Sequence, residues 1–335
     1  MPKILTLGES LLRLSTTKNE RLRNLSELKV VFGGAEANVA NNLAMLDNEV
    51  IYATKLPKSE LSQNVVYQLK GVGVNTDNVI LKGNGRVGSY FVEVGSDLRA
   101  SSVIYDRKYS SIATMDEKEW DLDKLFSGVT HFHTTGITLG LSDFWQGYLL
   151  EIIKYAKNKG VKTFFDVNFR SGLWTQAEAK IALSKVFPLV DYISANKLDA
   201  KYFMDIDTDF YDQPEQFIKE MSKAYPNFKV IFGTQRESLT PNSYNFTGFY
   251  YDTDSEQLFN SKKYHIQYVN DRVGAGDAYA AGIIDGVVKN KNGVDIVNFA
   301  TASSVLKHTI FGDANNFTSN QIEQFMNTQG GNIIR

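Results

Sequence analysis

Short apolar bursts alternate with amphipathic stretches along most of this chain. KILTLGE, EVIYATKL, VTHFHTTGI, VKTFFDVNF, DYISAN and FKVIFGT read as strands, since each gathers β-branched and aromatic residues into a run too short for a helix. Between several of them, Phe144 to Lys159 and Ala177 to Phe187 carry apolar residues at helical spacing. A parallel strand needs such a crossover to return, so the alternation predicts an α/β fold, a mainly parallel central sheet flanked by helices. Two regions, Leu11 to Phe32 and Arg86 to Tyr109, break the rhythm: polar and apolar residues alternate between glycine turn signals with no helix among them. They predict a small antiparallel β lid built from approximately residues 11–32 and 86–109, inside a single domain spanning 1–335. No repeat, low-complexity tract or long linker points to a second module.

Composition narrows the classes of function. With 335 residues, 43% hydrophobic and 22% charged, the chain can bury a large core. Lys and Arg number 36 against 38 Asp and Glu, a net charge of -2, so no global basic field favours nucleic acid or an anionic membrane as partner. Any anion must be met locally. The cysteine count is 0, which removes disulfides, thiol nucleophiles and thiolate metal sites and fits a reducing compartment. At the start, MPKILTLGESLLRLS has an apolar burst broken by Gly8, Glu9 and Arg13, which reads as a first strand and not a signal peptide. No apolar run approaches membrane-spanning length, and a cytoplasmic protein is expected. The histidines His131, His133, His265 and His308 do not form the close helical pairs of a zinc hydrolase. His131 and His133 share one face of a strand and read as structural histidines with satisfied hydrogen bonds.

In doubly wound sheets ligands sit beyond the carboxyl ends of the strands. The predicted strand exits here are Gly8-Glu9, Gly136, Asp166 to Arg170, Asn196 and Gly233-Thr234, rich in polar and glycine residues. Near the C-terminus, DRVGAGDAYAAG places Gly274, Ala275 and Gly276 before Asp277 at the start of an apolar helical stretch. Missing side chains let backbone N–H groups converge, and the helix adds its positive end, which together make an anion cradle. Asp277 has two readings: a general base toward an attacking hydroxyl, or a simple helix cap. Near the N-terminus, GGAEANVANNLA sets two glycines before a helix with Ala37, Ala40 and Ala44 at helical spacing. Tight packing explains the alanines, but not the double glycine together with Asn38.

These two segments resemble the signature regions of the ribokinase-like carbohydrate kinases, also called the phosphofructokinase-B family, and the likeness extends over nearly the whole chain. The resemblance implies a large α/β domain, a small β lid over a sugar site, and transfer of the ATP γ-phosphate to a sugar hydroxyl, with Mg2+ as the accompanying metal. Within the family, Ser102 to Arg107, Asp166 to Arg170 and Leu306 to Asp313 are most similar to the subgroup acting on 2-keto-3-deoxygluconate. A sugar acid gives Arg107 and Arg170 a purpose, since a planar guanidinium can grip its carboxylate with paired hydrogen bonds.

By that resemblance Asp277 is the catalytic base, with Gly274, Ala275 and Gly276 as the anion hole. Gly34, Asn38, Tyr90, Tyr105, Arg107, Arg170, Asp277 and Asp313 go to the sugar acid. Asn168, Asn196, Gly233, Thr234, Arg236 and Gly276 go to ATP. Asn196-Lys197-Leu198-Asp199 is similar to the family's Asn-x-x-Glu element near magnesium, with Asp199 one methylene shorter and its contact to the metal expected through water. Arg107 also reads as a surface lid charge, and Tyr90 and Tyr105 as aromatics of the lid sheet. Where the family often has a glycine-rich nucleotide loop, this chain has Phe232 to Leu239. A homo-oligomer formed through the lid is expected. Other sugar kinases, such as a fructokinase or a tagatose 6-phosphate kinase, and a non-catalytic sugar-acid sensor remain as alternatives. A dinucleotide-dependent oxidoreductase does not fit, because Gly8-Glu9-Ser10 follows the first strand in place of GxGxxG.

Overall fold

The computed structural model describes residues 2–17, 20–95, 99–208, 214–240 and 243–327. Its strands are β1 (Lys3–Leu7), β2 (Leu11–Ser15), β3 (Lys29–Gly33), β4 (Glu49–Leu56), β5 (Asn75–Leu81), β6 (Gly88–Glu93), β7 (Ser102–Asp106), β8 (His131–Thr135), β9 (Lys162–Asp166), β10 (Tyr192–Ser194), β11 (Val230–Thr240), β12 (Ser243–Asp252), β13 (Gln257–Asn260) and β14 (Tyr264–Ile266). The large sheet runs β13-β12-β11-β10-β9-β8-β1-β4-β5, with β14 on β12. From β11 to β5 neighbours pair in parallel, and β12 to β14 add antiparallel strands at one edge.

Each predicted apolar burst supplies one parallel strand, and both faces of these strands are covered. On one face the helix Asp143–Asn158 buries Trp145, Tyr148, Leu149, Ile152, Ile153 and Ala156, a stripe set by the 3.6-residue repeat. On the other lie helices Ala35–Met45, Ala275–Val288 and Gly293–Lys307. Their small residues allow close approach: a Cβ on Gly282 would sit 2.6 Å from Ala300 Cα. Among the described residues no helix is long and apolar enough to cross a membrane.

The second sheet has the order β3-β2-β6-β7. Pairs β2–β3 and β6–β7 are antiparallel, as the alternating pattern suggests, but the central pair β2–β6 is parallel. The cause is connectivity. Both β2 and β6 follow parallel strands of the large sheet, β1 and β5, and leave its carboxyl edge in the same direction.

Two expectations change in detail. Phe232 to Leu239 belongs to β11 and pairs with β12 from Phe232 to Ser238, with a register shift at Leu239, so strand and not a loop occupies that position. His131 Nδ1 lies 2.9 Å from Thr130 Oγ1, but neither ring nitrogen of buried His133 has a partner among the described residues. Burial pushes the His133 pKa down to about 3, which keeps the ring neutral and lowers the penalty for leaving it unpaired.

Candidate active site

Two cavities open side by side where the parallel strands end, the first of them beneath the small sheet. The first, about 340 Å³, is lined by Gly34, Asn38, Tyr90, Tyr105, Arg107, Arg170, Asp277 and Asp313, all eight residues expected to meet a sugar. The second, about 470 Å³, is lined by Asn168, Asn196, Gly233, Thr234, Arg236 and Gly276, all six expected near a nucleotide, and by Asp199. Asp166, Asn168, Arg170, Arg236 and Gly276 line both and form the shared wall.

Asp277 lies in the first turn of helix Ala275–Val288, whose N-cap Gly274 has φ 81°. Gly274 is required twice over: the left-handed conformation strains any other residue, and a Cβ would lie 1.7 Å from the Asp313 carbonyl oxygen. Gly276 differs, since a Cβ there would meet nothing within 4 Å. Protein packing therefore does not explain that glycine, while the open wall beside it does. Ala275 departs from the expected anion hole. It is buried, lines neither cavity, and its N–H donates to the Arg272 carbonyl at 3.3 Å. The candidate cradle narrows to the backbone at Gly274 and Gly276.

Asn38, on helix Ala35–Met45, donates its Nδ2–H to Asp277 Oδ2 at 2.7 Å. That bond fixes the carboxyl and leaves Oδ1 outside it. The Asp277 pKa is pushed up to about 7, chiefly by burial and further by Asp166 and Asp313, against the Asn38 hydrogen bond and Arg170. A carboxyl that titrates near neutrality suits proton abstraction.

The first cavity is walled by buried charge pairs. Arg13 Nη1 lies 2.7 Å from both Asp313 Oδ1 and Asp271 Oδ2, and the Tyr90 hydroxyl donates to Asp313 Oδ2. Asp313 thus has an accepted bond at each oxygen, and any ligand must share its remaining lone pairs. Arg107 is likewise engaged: its Nε and Nη2 both donate to Glu9 Oε2, and Ser110 donates to Glu9 Oε1. The expected paired grip on a carboxylate is therefore not available from that edge of Arg107, and the reading of a surface charge also falls, since the residue is buried. Arg170 has no carboxylate within salt-bridge distance among the described residues and donates to the Phe169 carbonyl. Tyr105 is 47% exposed, and its ring centroid lies 5.8 Å from that of buried Tyr90.

In the second cavity, Asn196 Oδ1 caps helix Lys197–Phe203 by accepting from Leu198 N–H (2.8 Å) and Asp199 N–H (3.3 Å), while Asp199 Oδ2 accepts from Asn196 N–H at 2.9 Å. Burial lifts the Asp199 pKa to about 7 and the Asp166 pKa to about 6, and Asp166 adds repulsion at Asp199. Carboxyls destabilised in this way favour a cation beside them. No group of three or more acidic or imidazole side chains able to hold a metal occurs among the described residues. The donor set fits a hydrated Mg2+ brought on phosphate oxygens better than a protein-bound ion. Gly233 has a packing reason, as a Cβ would approach the Phe249 ring at 2.8 Å. Asn168 adopts φ 40°, and Arg236 sits over the Tyr244 ring at 5.1 Å.

Several residues of the site escaped the sequence reading. Glu36 is buried and accepts from Thr135 N–H (3.1 Å), Thr135 Oγ1–H (2.8 Å) and Thr138 Oγ1–H (2.7 Å), pinning the helix of Asn38 to the end of β8. A Cβ on Gly8 would lie 2.1 Å from its carboxyl carbon, which explains that glycine. Arg13, Asp271 and Glu9 carry no site role in the sequence reading. Their signal is charge inside otherwise apolar or small-residue segments.

Comparisons with known proteins agree with this architecture. Residues 1–238 match the pfkB family carbohydrate kinase description. A PfkB family carbohydrate kinase from Listeria grayi is similar at 37% identity and TM-score 0.93, covering 97% of this chain and 99% of that one. The 2-dehydro-3-deoxygluconokinase of Thermotoga maritima is similar at 34% identity and TM-score 0.93, covering 98% and 100%. The 2-dehydro-3-deoxygalactonokinase of Haloferax volcanii is 27% identical over 99% of both chains. The chain belongs to the pfkB family of carbohydrate kinases.

Proposed function

We propose that this kinase transfers the γ-phosphate of ATP to the 6-hydroxyl of 2-keto-3-deoxy-D-gluconate (2-dehydro-3-deoxygluconate), giving 2-keto-3-deoxy-6-phosphogluconate. The observation that carries the reaction is Asp277, oriented by Asn38, raised to about 7, and set at a helix N-terminus in the first cavity, one residue from Gly276 of the shared wall. The names of the Thermotoga and Haloferax relatives support a 2-keto-3-deoxy sugar acid as acceptor. Arg170, which has no carboxylate partner among the described residues, supports an acidic ligand and is left as the stronger of the two arginines expected to grip it.

In the reaction, the acceptor hydroxyl lies against Asp277 and gives its proton to the carboxylate as the oxygen bonds to the γ-phosphorus. The bond from that phosphorus to the bridging oxygen breaks, ADP leaves, and the proton passes from Asp277 to solvent. Backbone N–H groups around Gly274 and Gly276 and the positive end of the helix stabilise charge on the transferring group. Asp166 and Asp199 would hold Mg2+ through water beside the nucleotide, and that ion would supply neutralisation of phosphate charge. Asn168, Asn196, Gly233, Thr234 and Arg236 position the nucleotide, Gly34, Tyr90, Tyr105 and Asp313 the sugar, and the small sheet excludes water that would otherwise accept the phosphoryl group.

The same reading places the protein in the cytoplasm and pairs two copies through the small sheet. Every residue of β7 is exposed, including Val103, Ile104 and Tyr105, an apolar strand that suits a second copy better than water. An Ile104→Lys variant that keeps the wild-type mass by light scattering rules out the pairing.

The decisive experiment is a coupled ATPase assay over sugar acids of both epimer series, neutral ketohexoses and phosphosugars. Turnover confined to the 2-keto-3-deoxy acids supports the proposal, whereas preference for fructose or tagatose 6-phosphate replaces it with another sugar kinase. ATP turnover with none of them leaves a sensor.

A further inference from the structure

A lysine is fully buried behind the candidate cradle. Lys307, the last residue of helix Gly293–Lys307, has 0% exposure, and its Nζ donates to the carbonyl oxygens of Ile310 (3.3 Å) and Asp271 (3.5 Å). Among the described residues no carboxylate lies within salt-bridge distance of it. The two carbonyls belong to the two loops that frame the site: one runs from Asp271 into the Gly274 turn, the other from Ile310 to Asp313. These loops touch closely at Gly274 and the Asp313 carbonyl. Asp271 ties them further, accepting from Val273 N–H and Gly312 N–H at 3.1 Å each.

We propose that Lys307 is a positioning residue whose ammonium serves as a built-in cation, locking the cradle loop against the Asp313 loop. The charge inventory supports this. Arg13, Lys307, Asp271 and Asp313 are all buried, and their formal charges sum to zero. Removing Lys307 leaves a net negative charge beneath Asp277, where burial makes it costly, and frees two carbonyls that the ammonium had drawn together. Its place at a helix carboxyl end adds a favourable dipole. Burial lowers the Lys307 pKa, and the nearby Asp271 and Asp313 oppose that. The proposal rests on the kinase reading above for its catalytic consequence, though not for the cation site itself.

Two variants test it in the full chain. Lys307→Met keeps the aliphatic stem and removes the charge; kcat should fall about 10- to 100-fold, with the acceptor KM within about twofold, because the loops that aim the phosphoryl group shift. Lys307→Ala opens room for a small cation, so ammonium or potassium chloride should raise its melting temperature and restore part of kcat, whereas tetramethylammonium chloride should not. Wild-type enzyme and Lys307→Met should show no such selectivity. A Lys307→Met kcat within about threefold of wild type overturns the proposal. So does a folded Lys307→Ala whose melting temperature ignores the choice of cation. If Lys307→Ala does not fold with any of these salts, the Lys307→Met kcat decides. If wild-type protein phosphorylates no sugar acid, the functional reading fails, while the cation-selective melting shift still judges the cation site.

Discussion

The two cavities differ in how their charges are satisfied before any ligand arrives. Around the first, arginines and carboxylates already pair with each other, Arg13 with Asp313 and Asp271, and Arg107 with Glu9. Around the second, burial pushes the pKa values of Asp166 and Asp199 up, and Asp166 raises Asp199 further, while Arg170 opposes both shifts. On the proposed function, the first is preorganised to discriminate an acceptor by shape and hydrogen bonding, and the second gains its electrostatic balance with the nucleotide and its metal. Asp277 lines the first cavity and follows Gly276, which lines both.

The largest test of this contrast is Asp277→Asn. On the proposed role, kcat should drop by about 10²–10⁴ while calorimetry still registers sugar-acid binding. Retention of most turnover would mean the proton leaves by another route. Next come the two glycines. Gly274→Ala should lower thermal stability as well as activity, since left-handed strain alone costs about 1–3 kcal/mol and its Cβ collides with Asp313. Gly276→Ala should leave the melting temperature unchanged yet cut kcat by about tenfold or more through crowding of the cradle. Equal destabilisation by both changes would show that Gly276 is there for packing.

On the acceptor side, Arg170→Ala should raise KM for the sugar acid by about tenfold, a loss of about 1.4 kcal/mol, and leave weak turnover of a neutral ketohexose alone. If both acceptors suffer equally, Arg170 serves the nucleotide instead. The smallest effect concerns pH. Because the base must be ionised, kcat/KM should fall as pH drops below about 7. Stability moves the opposite way: a carboxyl whose folded pKa exceeds its unfolded one holds more protons when folded, so stability declines as pH rises from the ordinary aspartate range toward about 7. Asp277→Asn should therefore melt higher than wild type at pH values above that window, with the gap closing in acid. A constant gap across pH would separate the stability effect from the ionisation of Asp277.

The parallel strands and both glycine motifs were legible because their causes are local. A burst such as VKTFFDVNF encodes its own burial, and a glycine pair before a helix encodes a backbone that approaches something closely. Residues quoted from those motifs come together in the two cavities. Partnerships were not legible. That Arg107 is held by Glu9, or that Ala275 spends its N–H on Arg272, depends on where distant segments meet. The parallel pairing of β2 with β6 is hidden for the same reason, since alternation reports which residues face the core but not strand direction. His133 shows the converse error: a polar residue in an apolar strand invited the assumption of a partner that the fold does not supply.

Arg13 and Asp313 meet across 300 positions of sequence. A ribosome releases the first long before the second, so the nascent chain carries a strand whose arginine has no counter-ion to fold against. Assembly of this buried charge cluster is therefore a late event that waits for the far end of the polypeptide, and a prematurely terminated chain would lack it however well its early strands had formed.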